Sequence, residues 1–342
     1  MKNLNLKKIL TIFVLLILIT VKFGFTQDKV GTAASPFLGI PIGGKAIAMG
    51  GAFTSIADNA TALFWNPGAT SRIKKHDVCV SQTDHFLDTK HKYFGASIML
   101  SPQDALGIHF NNFDYGNREP VTTVNEPNGT GEYWEASDLA IGLTYSRNIT
   151  DRFSIGGTVK YIEQNIWHES ASQFALDLGL LFITQFNGLQ IAATLRNFGG
   201  ELQLDGNDLL SRVDLDPDNE GNNENIVALL KTDEFPIPLI YSIGASMPII
   251  NQENLKFTVS VDAIRPTNNS EYVNVGSELK IVKYFNIRAG YQSLGQNYAE
   301  NGLTLGFGLD IALYNYNLIV NYAYQDYGRL GDFQTTSLEI QF

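Results

Sequence analysis

Gly302-Leu303-Thr304-Leu305-Gly306-Phe307-Gly308-Leu309-Asp310-Ile311-Ala312 decides the fold class. Leu303, Leu305, Phe307, Leu309 and Ile311 share one face of an extended chain, and Thr304, Gly306, Gly308, Asp310 and Ala312 share the other. A helix needs apolar residues at spacings of three and four. Here they recur every second residue, as in a strand whose side chains alternate between two faces. Leu139, Ile141, Leu143 and Tyr145 repeat the pattern, as do Tyr316, Leu318, Val320, Tyr322 and Tyr324 opposite Asn317, Asn321 and Gln325.

Outward from this stretch, about fourteen segments of similar length recur, an even number as single-chain bacterial membrane barrels require. They span 77–85, 91–100, 104–113, 138–148, 152–166, 172–184, 189–198, 237–247, 255–264, 271–281, 285–293, 301–312, 315–326 and 334–342. Links after even segments are tight, such as Ser101-Pro102-Gln103 and Leu313-Tyr314. Several links after odd segments are long: 114–137, 199–236 and 294–300. Short turns at one end and long loops at the other are what a transmembrane barrel shows. The expected fold is therefore all-β, a transmembrane antiparallel barrel over 77–342, with residues 27–76 as an N-terminal plug. In the last segment Thr336, Leu338, Ile340 and Phe342 share a face, and a final strand with Leu338, Ile340 and a terminal Phe342 resembles the signal read by the barrel-assembly machinery.

Residues 1–26 read as a secretory signal. Lys2, Lys7 and Lys8 precede the apolar run Ile9 to Val21, and Gly24 and Thr26 place small residues before a cut near Thr26/Gln27. The signal carries Lys2, Lys7, Lys8 and Lys22 and no acid, so removing it takes the formal charge from −11 to −15. Such an acidic chain is a poor nucleic-acid binder, because phosphate neutralisation needs clustered Lys and Arg. Cys79 is the only cysteine, which excludes an internal disulfide framework; it reads as a small wall residue. The strand phase turns Lys160, Asp177, Arg196, Lys256, Asp262, Glu278, Lys280, Arg288, Asp310 and Glu339 toward the lumen. Mixed signs fit an ion-paired, plugged interior better than a selectivity pore of one sign.

Residues 36–72 differ from the barrel. Gly43, Gly44, Met49, Gly50, Gly51, Asp58, Asn59, Trp65, Asn66 and Pro67 punctuate a stretch rich in small residues. Its glycines allow close backbone approach. Asp58-Asn59 can cap a short helical run over Ala60 to Phe64, and Pro67 biases Asn66 to an extended shape. The stretch Ala48-Met49-Gly50-Gly51-Ala52, Ala57-Asp58-Asn59-Ala60 and Trp65-Asn66-Pro67 resembles the PorV/PorQ family of outer-membrane proteins, a branch of the FadL-type barrels. That family usually continues Asn-Pro-Ala-Gly, and here Gly68-Ala69 exchanges the last two.

The resemblance implies a plugged fourteen-stranded barrel in the outer membrane of a Gram-negative bacterium. It implies, first, a non-enzymatic binding or shuttle role in type IX secretion, with translocon or exported cargo as partners through loops 114–137 and 199–236. Its alternative is FadL-like passage of hydrophobic small molecules, which Phe53 and Phe64 of the plug would then meet. An enzyme ranks last, for no nucleophile motif, phosphate loop or HExxH is present, and His109 is the one wall histidine read as lumen-facing. Nothing calls for a cofactor or metal. The acidic run from Asp214 places Asn219 and Asn225 where a calcium loop needs Gly and Glu.

The mature chain is expected to sediment with outer-membrane lipid and to migrate differently on a gel before and after boiling. Recovery as a soluble periplasmic protein would refute the barrel.

Overall fold

The computed structural model describes residues 30–342 except 215, 217, 219–224, 283 and 297, so the proposed signal over 1–26 lies outside the described residues. Fourteen antiparallel strands close into a barrel. In chain order they are β1 (Asp77–Asp84), β2 (Lys90–Met99), β3 (Asp104–Asp114), β4 (Ala136–Asn148), β5 (Phe153–Ile166), β6 (Glu169–Ile183) and β7 (Gln190–Gly199). They continue as β8 (Ile240–Asn251), β9 (Leu255–Pro266), β10 (Tyr272–Ile281), β11 (Phe285–Leu294), β12 (Leu303–Leu313), β13 (Tyr316–Asp326) and β14 (Asp332–Gln341). Each pairs with its neighbour in sequence, and β1 closes on β14 from Asp77↔Gln341 to Asp84↔Gln334. His76 and Phe342 extend that seam with two backbone hydrogen bonds of 3.0 Å.

The wall is inside out relative to a soluble barrel. Ser81, Thr144, Asn321 and Ser337 are buried within, whereas Leu143, Val159, Ile243, Ile287 and Phe307 stand exposed outside. Water would not tolerate so extended an apolar band on a monomer; hydrocarbon requires it. Among the described residues no helix is long and apolar enough to cross a membrane.

All fourteen expected segments coincide with barrel strands. The largest departure is β8. It starts at Ile240, beyond Pro236 and Pro238, and runs on to Asn251 through a register shift between Pro248 and Ile250. Two further shifts shape the interior. Asp177 of β6 faces both Arg196 and Asn197 of β7, and Asn274 of β10 faces both Gln292 and Ser293 of β11. In each, the extra residue has positive φ, 63° at Asn197 and 55° at Ser293, and its N–H donates to the opposing side-chain oxygen at 2.6 and 2.9 Å. A bulge turns two successive side chains inward, where regular pairing would allow one.

The links sort by end. Turns after even strands are six residues or fewer, while the described parts of the segments 115–135, 200–239 and 295–302 lie at the other end, beside five-residue links after β1, β9 and β13 and the tight link Trp167-His168 after β5. The chain enters at the long-loop end, where Ala34 N–H donates to Pro236 O. It descends through the lumen and reaches the short-turn end, where Arg72 donates to the Thr150 and Asp151 carbonyls.

A cysteine at Asn128, in a Cys79→Ser background, is expected to label with a membrane-impermeant reagent on intact cells, and one at Asn187 is not. Reversed labelling would invert the topology.

Candidate functional site

Residues 43–72 form a hatch held by backbone-level contact with the wall. Gly43, at φ 83°, lets the chain turn into a five-residue helix, Gly44–Ala48, and Gly44 N–H donates to Ser337 Oγ at 3.3 Å. Gly50 then lies against β10 and β11: a Cβ there would sit 2.7 Å from Val275 O, and one on Gly290 would sit 2.2 Å from Gly50 N. Gly51, at φ 70°, follows beside Asn274. Met49 is wholly buried. At the other side Pro67-Gly68 meets two wall glycines; a Cβ on Gly156 would lie 2.4 Å from Pro67 O and one on Gly179 2.2 Å from Asn66 Oδ1.

Polar groups complete the seat. Asn59 Oδ1 accepts from Thr61 N–H, and its amide donates to Glu339 Oε1 at 2.8 Å. The bond to Thr61 closes a turn before the helix, which begins at Ala62, two residues later than the sequence suggests, with Thr61 and not Asp58 or Asn59 at its cap position and no side-chain cap bond there. Asn66 is extended, as Pro67 demands; its amide reaches the Thr54 and Leu180 carbonyls and its oxygen caps the next turn at Gly68. Trp65 Nε1 donates to Ile42 O at 3.1 Å, and the Arg196 guanidinium stacks on Phe64 and Trp65 at 4.9 and 5.5 Å. Such cation–π contacts contribute about 2 kcal/mol when desolvated. Lys45 lies 2.7 Å from Asp58 and 3.7 Å from Glu278. Burial pulls its ammonium down, but the Asp58 and Glu278 carboxylates more than offset this and hold it above the ordinary lysine range.

The inward charges are placed as expected, in pairs such as Lys160–Asp177 at 2.8 Å and Arg288–Glu278 at 2.7 Å. Lys256 shares the inward phase but is exposed at its strand end. Cys79 is a buried wall residue. The reading of His109 as the one lumen-facing wall histidine is corrected: His91 is buried too, its Nε2 on Asn111 Oδ1. Tyr93 and Phe94 are adjacent aromatics that leave the phase of β2 ambiguous in sequence, and the Tyr93 hydroxyl donating to Ala60 O settles it. Leu338, Ile340 and Phe342 face outward from β14 and its end. No group of three or more potential metal ligands occurs among the described residues.

Above the hatch, at the long-loop end, lies a cavity of about 790 Å3. Phe37 and Ile40 of the entering chain form one side. Phe113 of β3 and Phe333 of β14 point in from the wall, and Trp134 and Tyr327 come from the loops. Ring contacts join the walls: Tyr327 stacks on Phe333 at 4.1 Å, and His85 meets Phe333 edge to face at 4.5 Å. Burial pushes His85 down to about 4, so its imidazole is neutral at neutral pH. Phe53 and Phe64, expected to meet an apolar ligand, do not line the cavity; they pack inside the hatch. The lining was not read from sequence because it gathers residues far apart in the chain. One signal existed: Phe113 and Phe333 occupy inward positions on strands whose other inward residues are mostly small or polar.

No family model matches the chain, and no curated protein matches it. The fold recurs among solved structures. It resembles the structure titled CymD monoaromatic hydrocarbon channel (TM-score 0.54, 10% identity, 88% of this chain and 96% of that one). It also resembles the Ralstonia pickettii toluene transporter TbuX (TM-score 0.52, 12% identity, 87% and 97%). The chain thus shares the barrel fold of these two structures.

Because the hatch touches wall backbone at Gly156 and Gly179, Gly156→Val or Gly179→Val is expected to overpack the seat by about 1–3 kcal/mol. The variants should still assemble and shift on heating, but show steady conductance in planar bilayers where the unaltered protein shows little. A large stable pore in the unaltered protein would contradict a closed hatch.

Proposed function

We propose that this protein is a non-enzymatic outer-membrane channel that admits small hydrophobic molecules from outside the cell. The observation that carries this reading is the apolar, aromatic-lined cavity at the long-loop end, one side of which is the chain that leads into the hatch. Its volume falls within the few hundred to 1,000 Å3 that small-molecule sites typically offer. A hydrophobic solute gains by leaving water for such a lining, in proportion to the apolar area it buries. Beneath it the lumen is packed and polar, so passage onward requires the hatch to yield. The two similar structures, a monoaromatic hydrocarbon channel and a toluene transporter, agree with this reading. Its partners are then outer-membrane lipid and, during assembly, the barrel-assembly machinery. The secretion-linked role rests on the motif resemblance of residues 43–67 alone, and no feature of the cavity favours it.

Equilibrium dialysis of radiolabelled 1,4-dimethylbenzene against the detergent-solubilised protein is expected to show saturable binding. Phe113→Glu and Phe333→Glu should each weaken it about tenfold or more, equivalent to 1.4 kcal/mol per decade. Binding that does not saturate, or that survives both substitutions, would remove the cavity as the site.

A further inference from the structure

The cavity lining holds one buried carboxylate and no cation. Asp138, near the start of β4, is 2% exposed and lines the apolar space. Its partners are neutral: the Tyr115 hydroxyl donates to Oδ2 at 2.8 Å and the Gln164 amide to Oδ1 at 3.0 Å. Gln164 in turn accepts from Ser35 N–H at 3.0 Å, which ties the carboxylate to the entering chain. None of the lining residues is Lys or Arg, and His85 is neutral.

A buried charge is costly unless hydrogen-bonded, so its place in an otherwise apolar cavity calls for a use. A carboxylate offers about four acceptor sites, and two are taken. Tyr115 is on the half-exposed loop side, so its hydroxyl can be joined or replaced by a donor from a ligand. Hydrogen bonds to an ionised acceptor are roughly twice as strong as neutral ones. A carboxylate ligand, by contrast, would meet a like charge at low dielectric with no cation to pair with.

We propose that the cavity selects uncharged apolar molecules carrying one hydrogen-bond donor, read by Asp138, and excludes carboxylates. This rests on the cavity being the entry site of a hydrophobic-molecule channel. The ligand class is then closer to a phenol or an aliphatic alcohol than to a fatty acid or a bare hydrocarbon.

Three near-isosteric probes test it on the full-length protein: 4-methylphenol, 1,4-dimethylbenzene and 4-methylbenzoate. The phenol should bind about tenfold more tightly than the hydrocarbon, and the benzoate should show no saturable binding. In Asp138→Asn, which keeps shape and hydrogen bonding, the phenol's advantage should fall to about threefold, and saturable benzoate binding should appear as the like charge is removed. Tyr115→Phe, which frees an acceptor site on Asp138, should retain or increase the phenol preference. If Asp138→Asn fails to assemble, as judged by its heat shift, the ranking in the unaltered protein and in Tyr115→Phe decides. Equal binding of phenol and hydrocarbon overturns the proposal while leaving the channel reading intact, as does tightest binding of the benzoate. Absence of binding by all three removes the channel reading and this proposal with it.

Discussion

An unpaired strand edge in hydrocarbon leaves backbone N–H and C=O groups without partners, each at a cost of several kcal/mol. The rest of the molecule follows from removing that edge. β1 pairs with β14 across eight residues, and the His76–Phe342 pair extends the seam by one more step. Closure forces inward one face of every strand, and alternation then assigns polar residues to the lumen and apolar residues to lipid. An interior so polar cannot stay dry and unpaired. The mixed charges of Lys160, Asp177, Arg288 and Glu278 answer that demand by pairing with one another and with the hatch.

The hatch is matched to this interior by size rather than by apolar packing alone. Its backbone comes closest to the wall where the wall carries glycine, at Gly50 against Gly290, at Met49 against Gly276 and at Pro67-Gly68 against Gly156 and Gly179. Those contacts leave no room for a methyl group, so the hatch has one seat. The bulge at Asn197 serves the same end. By turning Arg196 and Asn197 inward together, it sends the guanidinium to Phe64 and Trp65 and the amide to Pro238 O at 2.9 Å. One irregular residue thus ties the hatch to the base of the longest link between strands. The same entering chain that becomes the hatch first supplies Phe37 and Ile40 to the cavity.

Much of this was legible in the chain itself. Period-two alternation identified every barrel strand, because a wall with lipid on one side and a packed lumen on the other imposes that period residue by residue. The parity of the links separated the two ends of the barrel, because antiparallel neighbours return the chain to the same end at every second link. The glycines, Asn59, Asn66 and Pro67 marked the hatch because each performs a local backbone task that few other residues can. Less was visible where the phase was ambiguous. Tyr93 beside Phe94 concealed the inward turn of His91, and nothing local announces the bulges at Asn197 and Ser293, which depend on the side chain opposite.

The cavity was decided by tertiary structure alone. Phe37, Phe113, Tyr327 and Phe333 are separated by hundreds of residues at the extremes, and no pattern links them until the sheet closes and brings β3 and β14 to either side of β1. Asp138 reads in sequence as one more polar residue at a strand start; only the closed barrel surrounds it with aromatic rings. Local periodicity is set by each residue's immediate neighbours, and so it is written in the chain. A binding site assembled by closure is set by distant segments sharing one space, and so it appears only once the ring is complete.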